Sequence, residues 1–440
     1  MPSNQLFPPS PNAFPAEAKA TRALLDYIPQ MSLQERDRRW DACRKLMLMN
    51  GIDVLLLLGN DIFWGTGMAN LRYMFQVDSQ SGAKALFALE GDPVIWNGVP
   101  HNQRPTNMYL SVQEWVTDFR CAMGNAVICA EMKARGFERS RIGLVNFSST
   151  LQPSTLLHQD ATEFPRMLPE AEFIDASGLL QGLRLVKSEA EIDMLRQASR
   201  ISRKVVDAMV ATAVPGNTDA DVYAEMIKTQ ISGGAEPLIF NFFSAGPVEH
   251  PADELWHLLH GCEQPLYPTM RPIERGDIIN AEWHVKFGGY VCHTEYSVYV
   301  GDAAPPQLGR IWDVAIECLD ASRKALVAGN TIGEAVRMIR EPCKRAGMDY
   351  VELGFHAMGL ASPEFPTVIY EEGYGYDATN GRGIGDLVLE EGMCFGNNLD
   401  IHDPSWKPDV GVKLSDFMVV RENEAELLVD VPREIGLSLK

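Results

Sequence analysis

The strongest constraint in this 440-residue chain is the stretch from Gly276 to Gly301, which reads GDIINAEWHVKFGGYVCHTEYSVYVG. Two extended segments, 278–287 and 290–300, flank Gly288-Gly289, and paired glycines supply the positive φ that a tight hairpin turn needs. Side chains alternate along a strand, so Glu282 and His284 share a face, and His293 and Glu295 share a face of the partner strand. Two carboxylates and two imidazoles on one hairpin are costly to bury unless paired, ligated or used in chemistry. The alternative is an edge hairpin whose polar residues are solvated.

Composition narrows the setting. With 46% hydrophobic residues the chain has ample material for a core, and its length suggests two or three domains. A net charge of −20 argues against nonspecific binding to nucleic acid and against docking on anionic membranes. The longest apolar run, 54–58, is far too short to span a bilayer. The start, MPSNQLFPPSPNAFPAEA, has neither the basic nor the apolar region of a signal peptide, and its prolines predict an irregular arm over 1–31. Eight scattered cysteines without a CxxC pair read as reduced thiols of a cytoplasmic protein.

Taken in order, the chain predicts a helix over 32–50, capped by Ser32 with Gly51 beyond its end. A buried strand over 53–58, a short extended piece over 70–76 and a hairpin of 83–90 with 93–97 follow. A helix over 125–135 and a strand over 140–145 complete an α/β pattern for a first domain, 32–184. Ser188 and Glu191 form a capping-box pattern that opens a long helix ending before Pro215-Gly216. A helix over 218–231, a polar insertion over 246–265 and the central hairpin come next. A second helix pair, 310–328 and 331–346, leads into further strands, so the second domain, 185–440, reads as an α+β pseudo-repeat.

Six segments carry a family resemblance: LRLVKSEAEIDMLRQAS, RPIERGDII, the Gly288-Gly289-Tyr290 hairpin, GFHAMGL, LEEGMCF and GVKLSDFMVV. In that order they resemble the prolidase–methionine aminopeptidase–creatinase superfamily. The resemblance implies a pita-bread catalytic domain behind a smaller creatinase/prolidase-type α/β domain, and a homodimer in which that smaller domain packs on the mate. Metal-dependent members use two aspartates, a histidine and two glutamates, and these positions fall on Glu282, His293, His356, Asn398 and Ser415. Only His356 is unchanged; neutral Asn398 and weakly ligating Ser415 do not suit a two-metal peptidase centre.

The departure resembles creatinase, whose substrate-binding glutamate falls on Glu295; the counterpart of its carboxylate-gripping arginine falls near Gly82, with Lys84 the nearest cation. The implied activity is metal-independent cleavage of a C–N bond in a small amidine, urea or amide, with no cofactor. His356 and Glu295 are the catalytic candidates, with His260 of the insertion (ahead of His250 and His257) as a further acid/base. Glu282, His284, His293, Asn398, Asp400 and His402 are the substrate-binding candidates, with Asp416 near them. The alternative is a single iron, zinc or manganese ion on Glu282, His293 and His356, with His284 or Asp400 as a further ligand, serving a hydrolase, an Xaa-Pro peptidase or a lyase like those that cleave dimethylsulfoniopropionate. A non-enzymatic binding module is the reading of another class. Trp283, Phe287, Tyr290, Tyr296 and Trp406 either shape an aromatic pocket or belong to the core. A small-molecule substrate and a second copy of the chain are the expected partners; nucleic acid and membrane are not.

Overall fold

A computed structural model of the chain describes residues 28–60, 67–78, 82–97, 113–120, 124–146, 156–237, 241–248, 268–368, 383–407 and 410–440. These fall into two compact units, one running to Leu185 and one from Val186. None of the described helices is long and apolar enough to cross a membrane.

In the first unit, helix α1 (Leu33–Met49) begins where the Ser32 hydroxyl accepts the Glu35 N–H at 3.2 Å. Strand β1 (Val54–Gly59) lies inside a six-stranded sheet with β2 (Ala83–Ala88), β3 (Val94–Asn97), β4 (Asp118–Arg120), β5 (Arg141–Val145) and β6 (Glu172–Asp175), in the order β4-β3-β2-β1-β5-β6. Val54, Leu56 and Leu58 of β1 join Trp96, Ile128, Met132 and Phe164 in one apolar core. The stretch 70–76 is not extended as the sequence predicts; residues 70–75 belong to helix α2 (Ala69–Phe75), and Gln76 caps it. A short apolar run fits either period, and here packing decides. All of its residues except Arg72 are buried, and Arg39 and Trp40 of α1 donate to the carbonyls of Tyr73 and Met74 at 2.8 and 2.7 Å. Those are end-of-helix acceptors that a strand would present elsewhere. Helices α3 (Asn125–Ala134), α4 (His158–Met167) and α5 (Ser177–Leu185) complete the unit. Lys84 spends its charge inside it, on Asp160 at 2.6 Å and Asn125 at 2.7 Å.

The second unit repeats one pattern. Helices α6 (Glu189–Thr212) and α7 (Asp219–Ser232), each opened by a full capping box, lead into β7 (Asn241–Pro247), β8 (Asp277–Phe287) and β9 (Tyr290–Tyr299). Helices α8 (Pro306–Ala325) and α9 (Ile332–Ala346) lead into β10 (Asp349–Ala357), β11 (Glu364–Thr367), β12 (Cys394–His402), β13 (Gly411–Leu414) and β14 (Phe417–Val419). Short strands β15 (Glu426–Leu427) and β16 (Gly436–Leu437) close the chain. The sheets run β16-β9-β8-β7 and β11-β10-β12-β14-β15, with β13 paired to β12.

The β8–β9 hairpin turns at Gly288 and Gly289, whose φ values of 58° and 86° are both left-handed. It is not a solvated edge: β8 is paired on both sides. Its two faces divide the labour. Trp283 donates to Ser202 of α6 at 2.7 Å, Tyr290 donates to Glu191 at 2.9 Å, and Tyr296 stacks edge-on against Trp312 at 5.4 Å. Those aromatics are core, so they do not shape a substrate pocket. The other face carries the charges. The two sheets meet there through Asn280 donating to the Gly411 carbonyl at 3.3 Å and Ser415 N–H donating to the Glu295 carbonyl at 3.1 Å.

Asp416 belongs to this framework and not to the site. Its carboxylate accepts the backbone N–H groups of Phe417, Val429 and Val431 at 2.7, 3.1 and 3.2 Å, fixing the turn after β13 to the C-terminal segment. Burial pushes its pKa up to about 7 against those three donors. A folded value above the unfolded one, about 3.9, means the native state keeps a proton that the unfolded chain releases. This group's contribution to stability therefore falls as pH rises from about 4 to about 7. Asp416→Asn cannot titrate, so urea unfolding of the two proteins across that window is expected to show wild type losing stability relative to the variant. Parallel curves would refute the assignment.

Candidate metal centre

Strand register brings the four charged hairpin residues into one patch. Glu282 pairs with Glu295 and His284 with His293 across β8–β9, and all four are at most 4% exposed. Glu282 Oε1 lies 3.1 Å from His293 Nε2 and 3.4 Å from His284 Nε2. Each imidazole is held from behind. His293 Nδ1 is 2.9 Å from Ser415 Oγ, and His284 Nδ1 is 2.9 Å from Ser362 Oγ. The Ser362 hydroxyl also donates to the Met358 sulfur at 3.0 Å.

Burial raises the Glu282 carboxyl, but hydrogen bonds from His284 and His293 and the charges of His293 and Lys413 outweigh it and hold it well below the carboxylate range. Burial lowers His284 to about 4, despite Glu282, with the His293 charge adding to the effect. Two imidazole nitrogens facing one buried carboxylate are held there by their own N–H bonds to it or by a cation that all three share. Donors sharing one ion at about 2.1 Å stand about 3.0–3.4 Å apart, as these do. Glu282, His284 and His293 therefore fit one metal ion, and their donor atoms all lie within 4.8 Å of one another.

The remaining predicted residues surround this group. His356 lies beside it, its ring 5.0 Å from that of His293, and is not one of the three donors; His284 takes the place that the sequence gives it in the ligand set. Burial, then the charges of His293 and His284, hold its pKa well below the imidazole range, against the pull of Glu282. Asn398 donates to Glu295 at 3.3 Å and to Glu352 at 2.9 Å. Asp400 accepts from Lys413. Glu295 is pushed well above the carboxylate range by burial and by Asp400, with Lys413 opposing. His402, at the far end of β12, has Asp349 and Asp403 as its charged neighbours. His250, His257 and His260 lie outside the described residues.

A dinuclear centre does not fit. Ser415 serves as the outer partner of His293, and the amide of Asn398 points its N–H bonds at carboxylates. Lys413, Glu352 and Ser362 are functional neighbours that the sequence reading lacks. Alternation puts Lys413 on the face of Ser415 and Glu352 on the face of His356, so two of the three were within reach. Ser362 follows an irregular turn and gives no such signal.

Residues 193–422 match the model of the metallopeptidase family M24. The chain belongs to that family, and a peptidase is a hydrolase. The probable dipeptidase PepE of Mycobacterium tuberculosis is 27% identical over 302 residues, 67% of this chain and 72% of that protein. The Xaa-Pro dipeptidase of Pyrococcus furiosus is 26% identical over 284 residues, 64% of this chain and 73% of that one. The fold is that of the X-Pro aminopeptidase of Thermotoga maritima, with a TM-score of 0.73 at 19% identity over 91% of this chain and 99% of that one. These matches confirm the two-domain pita-bread architecture. They overturn the metal-independent, cofactor-free cleavage of a non-peptide C–N bond that the creatinase likeness implies: the matching family is one of metallopeptidases, the named relatives are dipeptidases, and the hairpin holds a three-donor group. The creatinase likeness rests on Glu295, and Glu295 is engaged with Asn398 and Lys413.

Gly396 of β12 makes room for His293. A Cβ there meets the His293 Cβ at 2.7 Å, closer than unbonded carbons pack, so the imidazole must move. Gly396→Ala is expected to weaken zinc or manganese binding by tenfold or more while far-ultraviolet circular dichroism stays unchanged. Unaltered affinity would show that His293 is not a ligand.

Proposed function

We propose that this chain is a metal-assisted hydrolase of the amide bond in small peptides, dipeptides of the Xaa-Pro type first among them. The observation that carries the reading is the buried donor group of Glu282, His284 and His293, whose 3.1 and 3.4 Å spacings match those of ligands sharing one ion. Membership of the M24 family and the names of the relatives support the peptide substrate. When bound, a divalent ion such as zinc, manganese or iron supplies Lewis acidity and a water of lowered pKa.

The chain's own groups do the rest. The serines behind both imidazoles fix their orientation, as outer partners of metal ligands do. His356, neutral and adjacent, is placed to take a proton from the attacking water and then pass that proton to the leaving amine. Burial and then Asp400 push the Glu295 carboxyl up against the pull of Lys413, and its Oε1 accepts from Asn398 and Lys413 beside the ligand group. Near-complete burial of these residues keeps bulk water from competing with them.

Chelator-treated protein should lose hydrolysis of Xaa-Pro dipeptides and regain it on adding back one of these ions. His356→Ala should lower kcat by about two orders of magnitude or more while leaving metal content intact. Equal turnover by metal-free protein would refute the metal role. A His356→Ala enzyme within a few-fold of wild type would move the proton transfer elsewhere.

A further inference from the structure

Next to the three donors lies a second anionic group. Glu295, Glu352 and Asp400 have carboxylate oxygens within 4.8 Å of one another, and all three residues are buried. Carboxylates packed this way repel unless a cation or a shared proton lies among them. The chain brings its own cation. Lys413, 4% exposed, donates Nζ to Asp400 and places it 3.3 Å from Glu295 Oε1 and 3.9 Å from Glu282 Oε2.

The lysine is not free to leave. It pairs with Asp400 across β12–β13, its N–H donates to Ser297 Oγ at 2.8 Å, and its carbonyl accepts from the same hydroxyl at 3.1 Å. Asn398 adds amide protons from a second strand, to Glu295 and Glu352. Two buried carboxylate oxygens in this group, Glu295 Oε2 and Asp400 Oδ1, still have no hydrogen-bond partner. They are acceptors to spare, next to an ammonium that already occupies the space between the acids.

We infer that Lys413 is the built-in cation of the Glu295–Glu352–Asp400 group and closes it to divalent ions, so that this domain has one exchangeable metal site and one permanently filled. Removing the ammonium opens the second. A divalent ion then finds three carboxylates in a dry setting, with unpartnered oxygens available to it. The number of ions in the unaltered protein rests on the single-metal reading above; the role of Lys413 is read as a difference between proteins and does not.

The test is manganese content per chain, measured by mass spectrometry after equilibrium dialysis of the full chain. Lys413→Ala is expected to hold one ion more than wild type, and Lys413→Arg, which keeps the charge, to match wild type. Glu352→Gln, made with Lys413 in place, is expected to leave the content unchanged. A folded Lys413→Ala protein with wild-type content overturns the inference, as does loss of one ion in Glu352→Gln. If Lys413→Ala does not fold, Glu352→Gln decides alone. Wild type with no ion and Lys413→Ala with one would uphold the role of Lys413 and refute the single-metal reading. Wild type with two ions, one of them lost in Glu352→Gln, would refute both.

Discussion

One carboxylate oxygen organises the second unit. Glu282 Oε1 stands within 3.1–3.4 Å of two imidazole nitrogens, at the centre of a hairpin buried on both faces. Burying an ionised carboxylate costs several kcal/mol unless its charge is met. Much of the surrounding structure meets it. The glycine pair sets the register that puts His284 opposite His293, and Gly396 leaves space for the His293 ring. Ser362 and Ser415 orient the rings from behind. Site and sheet are therefore one object: the hydrogen bonds that join the two sheets end on Ser297 and Ser415, next to the charged residues.

The acidic groups form two neighbouring fields that are balanced in different ways. Around Glu282 the neighbours are two imidazole nitrogens, a donor set suited to an ion from solution. Around Asp400 the neighbour is an ammonium from the chain itself. The first field is exchangeable and the second is fixed. That contrast explains how a member of a metallopeptidase family tolerates an amide at Asn398 and a hydroxyl at Ser415. Neither is needed as a ligand, and both act as hydrogen-bond partners of charged neighbours.

Much of this was legible in the chain. The capping boxes at Ser188 and Thr218, the Gly288-Gly289 turn and the alternation of Glu282, His284, His293 and Glu295 are local patterns, and local patterns survive folding. The errors came from longer range. Residues 70–75 are a helix because Arg39 and Trp40, some 34 residues earlier, satisfy its terminal carbonyls. Metal independence follows from which ligands are lost by position; the donor group that replaces them depends on His284, whose ring Ser362 orients from 78 residues away.

The central claim is a mononuclear site with two imidazoles. X-ray absorption spectroscopy at the edge of the bound metal, on the full chain loaded with zinc, tests it directly. The account predicts multiple-scattering features of two imidazoles, light-atom ligands at about 2.0–2.2 Å, and no metal–metal vector at about 3.5–4 Å. A metal–metal vector, or a coordination shell with fewer than two imidazoles, would contradict it.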